Sequence, residues 1–200
     1  MQHGYSDRIN HAFAFAAKHH DVLVRMGLRA PYFTQPSNVA VILVRYERDE
    51  TTVVSGILYD LVATSAREAR NGNAILERIA GKFGHQVLDT ILPVVPRHAD
   101  DSGVEYSIAE GRADVLQRLG AASEASRWVL AAVHLHEAGT LVAELARTRY
   151  PDMVWERSRS DRDATLARFS AVHDRLHEEG FATPILHELG SVLQQLGQAA

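Results

Sequence analysis

The segment Ala30-Pro31-Tyr32-Phe33-Thr34-Gln35-Pro36-Ser37-Asn38-Val39-Ala40 and its echo Gly56-Ile57-Leu58-Tyr59-Asp60-Leu61-Val62-Ala63-Thr64 decide how this chain is read. In the first, Pro36 stands where proline is tolerated, in the opening turn of a helix whose first amides have no intrahelical acceptor. Val39, Ile42, Leu43 and Tyr46 then recur at helical spacing and give that helix one apolar face. In the second, Val53, Val54, Ile57, Leu58, Leu61 and Val62 make a strongly apolar helix, capped by Asp49. A helix so apolar belongs at the centre of a core.

Outward from this pair the signals stay helical. Ser6 or Asp7 caps a first helix carrying Ile9, Phe13, Ala16, Ala17, His20 and Val24, which Gly27 ends before a loop over 28–34. Asn71-Gly72 marks a turn, Asn73 opens a short helix ended at Gly81 or Gly84, and another runs from about Gln86 into Pro93 and Pro96. Residues 97–104 are the longest loop signal and are expected to form a flexible edge. Further helices are expected near 107–119, from Ser123 to about Thr148 with Pro151 closing the run, and from Asp161 through Glu178 to the break at Gly180. Thr183-Pro184 starts a last helix with Ile185, Leu186, Leu189, Val192 and Leu196 inward. With no period-2 strands and no repeats, the expectation is an all-α single domain over residues 1–200.

Composition narrows the function. With 46% hydrophobic and 23% charged residues among 200, the chain reads as an ordinary globular domain with room for a core. A formal charge of −4 argues against a nucleic-acid binder, because binding driven by counterion release needs a basic surface. Only Lys18 and Lys82 are lysines, and the arginines are interspersed with acids. With no cysteine, disulfides, thiolate metal sites and cysteine nucleophiles are excluded. The N-terminus lacks the basic and apolar regions of a secretory signal. No apolar run approaches the roughly 18 residues of a membrane span. A cytoplasmic location without membrane contact is the expectation.

Further residues carry a resemblance. Ala16-Ala17-Lys18-His19-His20, Arg25, Pro31-Tyr32-Phe33-Thr34-Gln35-Pro36, Val39-Ala40, Ile57-Leu58-Tyr59-Asp60 and Phe83-Gly84-His85-Gln86-Val87 follow one another in order. Over residues 12–95 this pattern resembles the HD-domain hydrolases of the RelA/SpoT type, including small stand-alone alarmone (ppGpp) hydrolases. That family reads Ala-Ala-x-x-His, a basic segment, Gly-x-Pro-Tyr-x-x-His-Pro, Val-Ala, Leu-Leu-His-Asp-x-x-Glu-Asp-Thr and Phe-Gly-x-x-Val. Ala132-Val133-His134-Leu135-His136-Glu137 resembles the family's Ala-Asp-Lys-Leu-x-Asn segment, and residues 169–196 resemble its last helices. The resemblance implies an HD-domain-like helical bundle over most of the chain.

It also implies where chemistry would stand. The family holds a divalent metal, usually manganese, at positions that fall here on Gln35, Tyr59, Asp60 and Val133. Such a cation needs several oxygen or nitrogen ligands converging on one point to activate water, and only Asp60 is a competent anionic ligand. The family's catalytic acid pair falls on Ala63 and Thr64, three and four residues beyond Asp60 on the same helix face. Tyr59 is expected to fill the space of a lost ligand, its hydroxyl reaching Gln35 or Asp60. The family's nucleotide contacts fall on His20, Arg25 and Tyr32, with Leu23 in place of a glutamine and Glu137 in place of an asparagine.

The expectation is therefore a catalytically degenerate protein without a resident metal, a binding or regulatory module. Its ligand pocket would draw on Lys18, His20, Arg25, Tyr32, Gln35, Tyr59, Asp60 and Glu137. A protein partner, a small ligand such as a nucleotide, or a second copy of the chain would occupy it. One alternative is a metal-dependent phosphohydrolase with a rearranged manganese site using Asp60 and histidines such as His19, His20, His98, His134 and His136. His134 and His136 lie two apart on a helix, however, and cannot chelate together as an i, i+4 pair would. A second alternative is a nucleotide or alarmone sensor using Lys18, Arg25 and Tyr32. Bland readings stand beside these: Asp60 as a hydrogen-bonded acid, Arg25 as a solvated arginine, Trp128 and Trp155 as core or interface aromatics.

Overall fold

The computed structural model describes residues 5–20, 33–65, 72–157 and 161–199. They form α1 (Asp7–His20), α2 (Thr34–Arg45), α3 (Glu50–Ser65), α4 (Gly72–Phe83) and α5 (His85–Ile91). A 3-10 turn over Leu92–Val94 precedes α6 (Ile108–Leu119), α7 (Glu124–Arg147), α8 (Pro151–Arg157), α9 (Arg162–Glu178) and α10 (Pro184–Gln198). Among the described residues the sole β feature is one antiparallel bridge between Ala99 and Glu105. The fold is all-α, as its sequence periodicity implies.

Helix starts follow capping chemistry, in which a side-chain oxygen accepts from a first-turn amide that has no other partner. Ser6 rather than Asp7 caps α1, its Oγ accepting from the Ile9 amide at 3.1 Å. Asp49 accepts from the Thr52 amide at 3.0 Å. Ser107 and Glu110 form a reciprocal capping box at α6. Ser123 and Asp161 cap α7 and α9. Of the two ends expected for the fourth helix the structure takes Gly84, and one other boundary differs from the sequence reading. The fourth helix begins at Gly72 and runs through Gly81 to Phe83, so Gly84, at φ 87°, is its terminator. Pro151, expected only to close a run, opens the short helix α8, where its missing amide proton costs nothing. The expected extension of α1 to Val24 and Gly27, most of the 28–34 loop and Asn71 lie outside the described residues.

α3 sits at the centre, with Val54, Leu58 and Val62 fully shielded from solvent and α1, α2, α4, α5 and α7 all packed on it. Its contact with α2 is unusually close. A Cβ placed on Gly56 would lie 2.5 Å from Leu43 Cδ1 and 2.9 Å from Val39 Cγ1. The link between these helices is short, and Glu47 takes a left-handed φ of 56° to turn the chain back. A connection of this length makes the two helices an antiparallel hairpin. α7 packs against both of them and against α9 and α10. By length and composition α7 would suffice to cross a membrane, which the sequence reading did not anticipate, and most of that stretch is buried inside the bundle.

The segment after the 3-10 turn is fastened by an ion cluster. Asp114, only 7% exposed, lies between Arg97 and Arg118. Burial works against its carboxylate, and the hydrogen bonds from the two guanidinium groups outweigh that and hold the carboxyl below the usual range. Arg118 also donates to the carbonyls of Leu92 and Val95, each at 2.7 Å. Within the 97–104 segment, Asp100 Oδ1 accepts from the Ser102 and Val104 amides at 2.9 Å, building a tight reversal.

Because Leu43 and Val39 are fully buried, they have no free space into which to retreat from a side chain at position 56. Gly56→Val should cost about 1–3 kcal/mol through overpacking, read as a lower midpoint in urea or thermal unfolding. A wild-type midpoint would contradict the close approach of α2 and α3.

Candidate functional site

Gln35 stands in the first turn of α2, and Gly56 on α3 faces Val39 and Leu43. One turn back along α2 corresponds to one turn forward along the antiparallel α3. The register therefore sets Gln35 beside the turn containing Tyr59 to Ala63. Gln35 is 2% exposed, and its Oε1 has no hydrogen-bond partner. A buried acceptor without a donor carries the full cost of its lost hydration, about 1–3 kcal/mol.

Tyr59 is also buried, and its hydroxyl donates to the backbone carbonyl of Val94 at 3.2 Å. The expected bond to Gln35 Oε1 is not made. α5 packs on α3 and leads directly into the 3-10 turn, whose irregular backbone leaves a carbonyl within reach of the tyrosine. Asp60 follows as a half-buried carboxylate, Ala63 is buried and Thr64 half-buried. Val133, in the middle of α7, is 2% exposed and part of the apolar core. α2, α3 and α7 pack pairwise, so the helices bearing these four positions are brought together.

The histidines of α7 have structural partners. His134 Nδ1 donates to the Leu130 carbonyl at 3.0 Å, and its ring stands edge-on to Phe169 at 5.7 Å between centroids. Burial pushes its pKa down to about 4, with Glu137 opposing that shift and Arg168 adding to it. His136 is buried as well, and its backbone carbonyl accepts from Thr140 Oγ1 at 2.8 Å. Glu137 pairs with Arg168 at 3.0 Å, and that guanidinium lies over Phe169 at 4.1 Å. Among the described residues no three His, Asp or Glu side chains are grouped to hold a metal ion. His98, also considered for a displaced site, is 3.3 Å from Glu105 in the 97–106 reversal.

Of the remaining pocket candidates, Lys18 is exposed near the end of α1. Arg25, Tyr32 and the side chain of His20 lie outside the described residues. Elsewhere, an open apolar groove of about 380 Å³ runs between α1 and α2, lined by Ile9, Phe13, Ala40, Val41, Val44 and Val53. It contains none of the residues expected from the sequence to form the ligand pocket. Also missed there were Arg78 on α4 and the Arg97–Asp114–Arg118 cluster, whose members lie far apart in sequence and match no short motif.

Two outcomes follow from these environments. Gln35→Met keeps the side-chain length and removes the unpaired carbonyl, so unfolding should become harder by about 1 kcal/mol in urea titration; destabilisation would mean that Oε1 has a partner in solution. For His134, the folded pKa lies below the unpaired value of 6.5, so its contribution is complete above pH 6.5, where both states are neutral. As the pH falls from 6.5 towards 4, the unfolded chain takes up a proton that the folded chain refuses, and up to roughly 3 kcal/mol is lost. His134→Leu should flatten that part of the stability–pH curve relative to wild type; equal slopes would show that the ring reaches solvent.

No protein-family model matches the sequence, and no curated protein matches it. Solved structures do. One, from a study of a metazoan orthologue of SpoT that hydrolyses ppGpp, superimposes with a TM-score of 0.71 over 98% of this chain and 99% of its own, at 19% identity. Another, lmo0812 from Listeria monocytogenes EGD-e, gives a TM-score of 0.64 over 82% of this chain and 99% of its own, also at 19% identity. The first superposition covers nearly the whole of both chains, so the likeness is one of overall fold. This chain has the all-α fold of these two structures, one of them of a SpoT orthologue.

Proposed function

We propose that this chain is a catalytically degenerate HD-domain protein, a binding or regulatory module on a scaffold that in the metazoan SpoT orthologue hydrolyses ppGpp. The observation that carries this reading is what stands at the four positions where the resemblance puts metal ligands. Val133 is core, the Tyr59 hydroxyl donates to the Val94 carbonyl, and Gln35 offers one neutral oxygen. Asp60 is the single carboxylate. This donor set does not fit a divalent cation, which needs several oxygen or nitrogen ligands on one centre and some anionic charge to offset its desolvation. Ala63 and Thr64 have no carboxylate with which to orient a water, so the hydrolytic step also lacks its base.

The histidines of α7 do not repair the loss. His134 directs Nδ1 to its own helix backbone and packs its ring on Phe169, and Glu137 is paired with Arg168. These side chains brace α7 against α9. The sensor reading has one observation in its favour, the exposed cation Lys18 at the end of α1, which makes no ion pair among the described residues.

Metal analysis of the purified chain should give substoichiometric manganese, and ppGpp should persist in its presence. Asp60→Asn should then leave the absence of turnover unchanged. Stoichiometric metal, or hydrolysis abolished by Asp60→Asn, would establish the rearranged phosphohydrolase instead.

A further inference from the structure

α1 ends in Lys18-His19-His20, and α4 carries Arg78 to the same place. The ring of Phe15 contacts both His19 and Arg78. His19 lies 4.6 Å from it between centroids, and the Arg78 guanidinium stands 5.8 Å from its centre. Lys18 is the neighbour of His19 in sequence and is exposed. Several other cations of this molecule find acids: Arg8 reaches Glu50, Arg45 reaches Glu188, Arg97 and Arg118 reach Asp114, and Arg168 reaches Glu137. Among the described residues Lys18, His19 and Arg78 reach none. His19 Nε2 is buried and has no hydrogen-bond partner.

Such a cluster is electrostatically frustrated as it stands. Burial holds the His19 pKa below its usual value, and the charges of Arg78 and then Lys18 lower it further. Among the described residues the two cations and the imidazole lack the anion that would give them charge-assisted hydrogen bonds. A guanidinium fork and an ammonium suit the oxygens of a phosphate.

We infer that the face formed by Lys18, His19 and Arg78 binds the phosphate or pyrophosphate group of a small phosphorylated ligand. Lys18 and Arg78 donate to its oxygens, and the His19 ring, its Nε2 buried, lies close enough to feel the bound charge. This site belongs to α1 and α4 rather than to the α2–α3–α7 positions. It rests on the binding-module reading in one respect: the chain holds its ligand rather than turning it over.

The test is calorimetric titration of the full chain with inorganic pyrophosphate and with inorganic phosphate at fixed ionic strength. The histidine ring signals are followed by NMR in parallel. The expected result is saturable binding with displacement of the His19 resonances and a rise in the His19 pKa, because a bound anion favours the protonated ring. Arg78→Gln and Lys18→Gln should each weaken the affinity roughly tenfold, as expected for loss of a charge-assisted contact. Arg112→Gln, on the exposed face of α6, should leave it unchanged. All three positions are exposed, so helical content and melting temperature should stay at wild-type values and show that the variants are folded. No saturable binding at millimolar pyrophosphate, or equal binding by wild type, Arg78→Gln and Lys18→Gln, would overturn the inference. Turnover of ppGpp by the same sample would overturn the degenerate reading and leave the anion site standing, so the two failures are distinguishable.

Discussion

The close approach of α2 and α3 at Gly56 governs this structure. Helices packed through ordinary side chains sit about 8–10 Å apart. Here the missing Cβ lets Leu43 and Val39 press directly on the α3 backbone. That contact permits a helix apolar on nearly all sides to be buried by neighbours on nearly all sides. It also fixes which turn of α2 faces which turn of α3, and so puts Gln35 beside the Tyr59–Ala63 stretch. α7 can then lie across both helices with Val133 in the interior. The candidate site is a by-product of that register, because no loop in the described residues contributes to it.

Polar groups in the interior are handled in two ways. Where the backbone is irregular, side chains from other elements supply the missing hydrogen bonds. The 3-10 turn after α5 leaves carbonyls outside any helix ladder; Tyr59 answers Val94 from α3, and Arg118 answers Leu92 and Val95 from α6. Arg118 can do this because Asp114 compensates its charge, and Asp114 can be buried because Arg97 and Arg118 share it. Gln35 Oε1 and His19 Nε2 have no such answer. Tyr59 explains why a position expected to face a site is instead structural: its hydroxyl ties α3 to the turn that leads toward α6.

Much of the frame was legible in the residues. Capping at Asp49, Ser123 and Asp161, the stop at Gly180 and the start at Thr183-Pro184 are local events whose chemistry is written within four residues. The apolar character of α3 announced its central place. Less legible were the ends of α4 and the helix opened by Pro151, since a proline at a boundary reads equally as stop or start. The Tyr59–Val94 bond, the His134–Phe169 contact and the meeting of Lys18, His19 and Arg78 were not legible at all, because each joins elements that periodicity cannot set side by side.

By itself, the sequence determined the apolar or amphipathic character of most of the helices, their caps and the all-α class, because these depend on spacing and on short-range backbone chemistry. The tertiary structure decided what those residues do: that Tyr59 bonds a backbone carbonyl, that Gln35 keeps an unanswered oxygen, that His134 stays neutral in the core, and that Lys18 and Arg78 gather around an imidazole without an acid among the described residues. The physical reason is that burial, dielectric and partner geometry arise only when helices distant in sequence meet, and those quantities fix the state of a polar side chain.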